Sequence, residues 1–260
     1  MPQPSSSGFS ARQMDQTRPL WDRMRSHRFL RETRDGTLSD DTFATWLRQD
    51  YLFVEAALPF VAGLLARAPE GDRPVLTRTL MALEKELALF EERAEALGVN
   101  LRGAAPAFTC HAYVQFLLAT GHRATYAEGF TVLYVAEKAY HESWKVVREG
   151  ISPESPWFPF VDNWSGSEFA GWVDHLETRL DALADEAGPA EKERMAQLFR
   201  LTVLYEIAFW EMAVDAESWP GLEGTGVDHG LPGSSVVWRN EETEPTEHAW
   251  TGVVSPQEGS

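Results

Sequence analysis

Residues 204–213 read LYEIAFWEMA, an apolar and aromatic run interrupted by one carboxylate, Glu206. On a helix, Phe199, Val203, Glu206, Trp210 and Ala213 fall on a single face. That face points into a core, where an ionised carboxylate is costly unless something pairs with it. A carboxylate kept there is either a structural anchor or a working group.

The same arrangement recurs twice upstream. Phe43, Trp46, Leu47, Asp50, Val54 and Ala57 share one stripe, and Phe130, Leu133, Tyr134, Glu137, His141 and Trp144 share another. In all three, the acid follows an aromatic residue by seven positions. Half-buried carboxylates often pair with Arg or cap backbone groups, and that role stays open for each of them. Three stripes facing one centre would instead line a cavity with acids and rings. Such a cavity suits a flat, nitrogen-rich, partly cationic ligand that stacks on the rings and donates to the carboxylates.

The surrounding sequence is helical. One helix runs through LWDRMRSHRFL. Ser39 starts a long one reaching about Ala68, with Asp40 and Asp41 favouring its positive end and Pro59 expected to kink or split it. Asp72–Leu97 stops at Gly98, Phe108–Ala119 ends near Gly121, and residues 124–149 end at Gly150. Residues 153–171 read as a short irregular connector. Glu168–Ala187 and Pro189–Trp219 complete the set, with Pro189 at the first helical position. No apolar alternation is sustained before residue 234, so the fold class is all-α: a single helical domain over residues 12–219. Residues 1–11 read as disordered. From Pro220 onward Gly and Pro recur, Arg239 is the lone Arg or Lys, and Val236, Val237, Trp238 and Val253 are the anchors of a disordered or extended tail.

Composition narrows the function. The chain of 260 residues carries a formal net charge of −17, which argues against nucleic-acid binding, and Lys occurs only at 85, 138, 145 and 192. No apolar run is long enough to span a membrane, and the first residues lack the basic and apolar regions of a secretory signal, so a cytoplasmic location is expected. Cys110, the only cysteine, rules out an intrachain disulfide and reads as a buried, inert thiol. A di-metal site needs Glu-x-x-His pairs on facing helices; Glu137 and His141 stand four apart with no matching His elsewhere, so no metal ligand set is assigned. Gly-x-Ser-x-Gly, Walker and Gly-x-Gly-x-x-Gly motifs are absent.

Taken together, LWDRMRSHRFL, FATWLRQDYLFVEA, HAYVQFLL, WFPFVDNWSGSEF and above all YEIAFWEMA resemble the TenA family, which includes thiaminase II, over about residues 12–218. The resemblance implies a haem-oxygenase-like helical bundle, assembled as a homo-oligomer (dimer or tetramer), that needs no cofactor. It implies hydrolysis of aminomethyl- or formylaminomethyl-pyrimidine breakdown products in thiamin salvage. It places the pyrimidine-binding acid on Asp50, a ring neighbour on Phe53 where the family has Tyr, and a helix tyrosine on Tyr113. A connector aromatic falls on Trp164, the catalytic acid on Glu206 and the stacking ring on Phe209. The nucleophilic Cys of thiaminase II would fall on or beside Ala136, within VAEKAYHESW, which looks like the branch lacking that Cys and carrying a Glu nearby. Under this resemblance Glu206 and Glu137 share the acid and base work, and Tyr113 and Tyr140 donate to developing charge. Two other readings stay open: a non-catalytic pyrimidine- or thiamin-binding regulator, and a haem-oxygenase-like metal-dependent oxidase.

Overall fold

The computed structural model describes residues 8–221. The described residues form ten α-helices and one 3-10 turn, and contain no strand: α1 Phe9–Gln16, α2 Arg18–Arg25, α3 Arg28–Arg34, α4 Asp40–Leu65, α5 Arg73–Leu97, α6 Phe108–Arg123, α7 Tyr126–Arg148, α8 Phe158–Ser165, α9 Ser167–Glu186 and α10 Pro189–Asp215, with the turn Glu70–Asp72 before α5. Helix α4 packs on α5 and α6, and α7 on α8, α9 and α10. Helix α10 also touches α4 and α6, so the three acid-bearing helices meet in one layer of the bundle.

Local chemistry explains most boundaries. The Ser39 hydroxyl accepts from the Thr42 N–H at 3.2 Å and starts α4. Thr125 and Glu128 form a capping box that starts α7. Gly98, at φ 67°, supplies the left-handed residue that closes α5. Helix α4 runs unbroken through Pro59, so of the expected kink or split the split does not occur. Proline removes one N–H donor, and packing against α5 and α6 holds the helix across the gap.

Three further expectations change. The helix expected through LWDRMRSHRFL breaks at His27, which caps α3 by accepting from the Phe29 N–H and reaches Glu211 on α10 through Nε2 at 2.6 Å. The first helix begins at Phe9, inside the segment read as disordered, because Phe9 is buried and the Ser10 N–H donates to Asp181 at 2.7 Å. The connector over 153–171 is not irregular: it holds α8 and the start of α9. Residues 1–7, and the tail anchors Val236, Val237, Trp238 and Val253, lie outside the described residues. Among those described, no helix is long and apolar enough to cross a membrane.

The end of α10 is tied to the start of α6. Ala216 takes a left-handed conformation (φ 46°) and turns the chain sharply. Glu217 then accepts from the Thr109 N–H at 2.7 Å and its hydroxyl at 2.9 Å, capping α6 from outside. Trp219 donates to the Pro106 carbonyl at 2.8 Å and packs edge-on against Phe108.

Candidate active site

The three stripes are buried as their spacing requires except at Ala57 and Glu137, which are half-buried. Phe43, Trp46, Leu47, Phe130, Tyr134, Trp144, Phe199, Val203 and Trp210 are almost wholly enclosed, and so are Asp50 (0 % exposed) and Glu206 (1 %). Trp46 lies within 6.4 Å of Trp210 and 5.1 Å of Trp144, ring centre to ring centre, so the aromatic members of the three helices form one cluster.

Beside that cluster lies a cavity with roughly 550 Å³ of atom-free space, the solvent at its mouth included. Asp50, Phe53, Glu137, Tyr140 and Trp164 line it, as does Ala136, together with Leu and Val side chains from α4, α5, α6 and α7. Glu206, Tyr113 and Phe209 are not in the lining. They form a layer behind it: the Tyr113 hydroxyl donates to Glu206 at 2.5 Å, and Phe209 stands edge-on to Phe53 at 5.7 Å.

Helix α5 supplies a further lining acid, Glu86, which the stripe analysis does not single out. Its Oε1 accepts from Asn163 Nδ2 at 3.2 Å and from Trp164 Nε1 at 3.1 Å. A signal was present: Leu83, Glu86 and Phe90 share a helical face, and the two apolar members are buried. Neighbouring Glu84 and Lys85 disguise it as a solvated segment.

The four acids have no cation among the cavity-lining residues. Burial pushes the Asp50 carboxyl well above the usual range; the Tyr140 hydroxyl, which donates to Oδ1, opposes the rise, and nearby Glu86 adds to it. Its other oxygen, Oδ2, is buried and has no hydrogen-bond partner. Burial raises Glu206 to about 8, opposed by the Tyr113 hydroxyl and aided by Asp50 and Glu137. Glu137 rises to about 8 through burial and the nearness of Glu86, with Trp172 opposing. Glu86 rises to about 7 through burial, against the pull of its two donors. Glu86 and Glu137 each keep part of their surface exposed, whereas Asp50 and Glu206 are sealed. All four carboxyls are therefore pushed toward their protonated forms, and those of Glu86, Glu137 and Glu206, at about 7 to 8, exchange protons near neutrality, as acid–base chemistry requires.

Cys110 is fully buried, and its thiol donates to the Gln49 carbonyl at 3.4 Å. Burial pushes that thiol far above its ordinary range. It does not line the cavity. Among the described residues, no group of three His, Cys, Asp or Glu is placed to hold a metal ion.

Comparison with known proteins agrees with this architecture. A TenA homologue from Pyrococcus furiosus superimposes with a TM-score of 0.77 at 37 % identity, covering 79 % of this chain and 99 % of that one. A probable bifunctional TENA-E protein from Glycine max is 28 % identical over 79 % of this chain and 93 % of its own length. An aminopyrimidine aminohydrolase from Halalkalibacterium halodurans is 27 % identical over 81 % of this chain and 97 % of its own. A heme oxygenase-like domain from Shewanella denitrificans, 11 % identical with a TM-score of 0.65, shares the fold. The pattern that describes the TENA/THI-4/PQQC family spans residues 14–216, from α1 to the end of α10, and the chain belongs to that family.

Proposed function

We propose that this protein is an aminopyrimidine aminohydrolase of thiamin salvage, working without a nucleophilic cysteine. The observation that carries the reading is a cavity lined by three carboxyls and flanking rings, with the buried Glu206 behind it. Relatives from Halalkalibacterium halodurans and Bacillus subtilis bear the name aminopyrimidine aminohydrolase, which supports the same reaction class.

In this reading Asp50 anchors the ring. Its unpartnered Oδ2 meets the 4-amino group and a ring nitrogen, while Tyr140 holds Oδ1 in place. Phe53 and Trp164 bound the ring faces, with Phe209 buttressing Phe53. For the aminomethyl substrate, water attacks the exocyclic methylene carbon as the C–N bond breaks, giving hydroxymethylpyrimidine and ammonia. A substrate that enters as the ammonium already carries the proton that leaves with ammonia; for the neutral amine, Glu206, protonated near neutral pH and hydrogen-bonded to Tyr113 one layer behind the lining, is the proton source. Glu137, once ionised, takes the proton of the attacking water. The acid is regenerated when Glu137 returns its proton through the cavity. With Ala136 in the lining and Cys110 sealed elsewhere, no covalent thioether step is assigned.

A cytoplasmic homo-oligomer belongs to the same reading; exposed Leu201 and Leu204 on α10 give it an apolar strip for self-association. The test is direct. Purified protein incubated with 4-amino-5-aminomethyl-2-methylpyrimidine, or with its N-formyl derivative, should yield hydroxymethyl- or aminomethylpyrimidine, resolved by chromatography. Tight binding with no product from either compound would instead establish a non-catalytic binding protein.

A further inference from the structure

We propose that Glu86 and Glu137 form an ammonium subsite on the partly exposed wall of the cavity, and that it selects a pyrimidine with a cationic aminomethyl group over the same ring with that nitrogen acylated. The proposal deepens the hydrolase reading by naming the substrate form.

Three observations carry it. Glu86 and Glu137 come from different helices, α5 and α7, yet both line the cavity and both keep some exposure. The lining contains no Lys, Arg or His to neutralise them. Asp50 shares the same cavity, fully buried, with Oδ2 unpartnered, which independently marks the space as one suited to a polar, hydrogen-bonding ligand.

The roles then divide by environment. Asp50 is sealed, so burial favours its neutral form and it contributes hydrogen bonding more than charge. Negative charge in the cavity falls first on Glu86, raised only to about 7, and a bound ammonium favours ionisation of Glu137, raised to about 8, as well. Asn163 and Trp164 both donate to Oε1 of Glu86, which fixes the carboxylate plane and leaves Oε2 for a ligand. A primary ammonium offers three donors and a full positive charge to such a pair. Acylation converts the nitrogen to a neutral amide with a single N–H, and the subsite loses both charge and donors.

Glu86→Gln is the informative change, because its amide oxygen can still accept from Asn163 and Trp164 while the charge is removed. The test measures binding by calorimetry at pH 7.5 in the full-length Glu206→Gln protein, with and without Glu86→Gln, using the aminomethylpyrimidine and its N-formyl derivative. The ratio of the two affinities should fall about tenfold or more when Glu86 is replaced, in line with loss of a charge-assisted hydrogen bond. Glu137→Gln in the same background should shift the ratio in the same direction, and serves if the Glu86 variant fails to fold by circular dichroism. A ratio that stays constant overturns the subsite, even if both affinities drop together. Failure of the hydrolase reading looks different: the wild-type protein turns over neither compound, while the Glu86-dependent preference for the amine is still measured.

Discussion

Two sets of buried acids share this bundle and live by opposite rules. Asp72 and Glu128, 8 % and 6 % exposed, each face an arginine. Arg179 donates through Nε to both oxygens of Asp72 at 2.8 and 2.9 Å, and Arg194 pairs with Glu128, which also closes the capping box of α7. Asp50 and Glu206 are more deeply buried, yet each is met by a tyrosine hydroxyl and no cation. The first pair ties helices together as ions. The second is held toward its protonated form by burial, the state suited to the acid–base work proposed above.

Replacing one acid of the second kind gives the largest separation between the two. Glu206→Gln is nearly isosteric and keeps a carbonyl for Tyr113, so folding by circular dichroism should be unchanged and the melting temperature at neutral pH no lower, while kcat falls about 10²- to 10⁴-fold, as for loss of a general acid. Unaltered kcat would place Glu206 with the structural acids. The converse change acts on stability: Arg179→Ala strands Asp72 and should lower unfolding stability by about 2 kcal/mol in denaturant titration, the pair being partly exposed, with kcat little affected. A drop in kcat without loss of stability would erase the distinction.

The remaining effect is in pH. Glu206 holds its proton up to about 8 when folded, against an ordinary value of 4.5 in the unfolded chain. Between those values the unfolded chain has ionised and the native one has not, so the stability contributed by protonated Glu206 is complete below about 4.5 and is lost as pH rises through about 8. The melting temperature should decline across that window, and less steeply in Glu206→Gln. Equal slopes would show that Glu206 ionises freely in the native protein.

How much of this could be read from sequence follows from where each signal resides. Periodicity over Phe199–Ala213 and its two counterparts depends only on local geometry, so the buried stripes were legible. Caps at Ser39 and Gly98 are equally local. The break at His27 was hidden because half of its cause, Glu211, lies at the far end of the chain. Phe9 gave too little apolar context to outweigh the Pro and Ser around it. Glu86 stayed hidden because its partners, Asn163 and Trp164, are 77 and 78 residues away and sit on α8, a helix read as irregular connector. Likewise, the division of the acids into sealed and half-open depends on tertiary packing that no single stripe encodes.

The contact of Glu217 with Thr109 joins residues 108 positions apart. Its consequence lies in biosynthesis. The start of α6, the helix that carries Tyr113, receives its external cap only after the last turn of α10 has left the ribosome. The cavity wall made by α4 and α5 is synthesised long before, so a nascent chain stalled before Glu217 carries all four acids without this cap on α6.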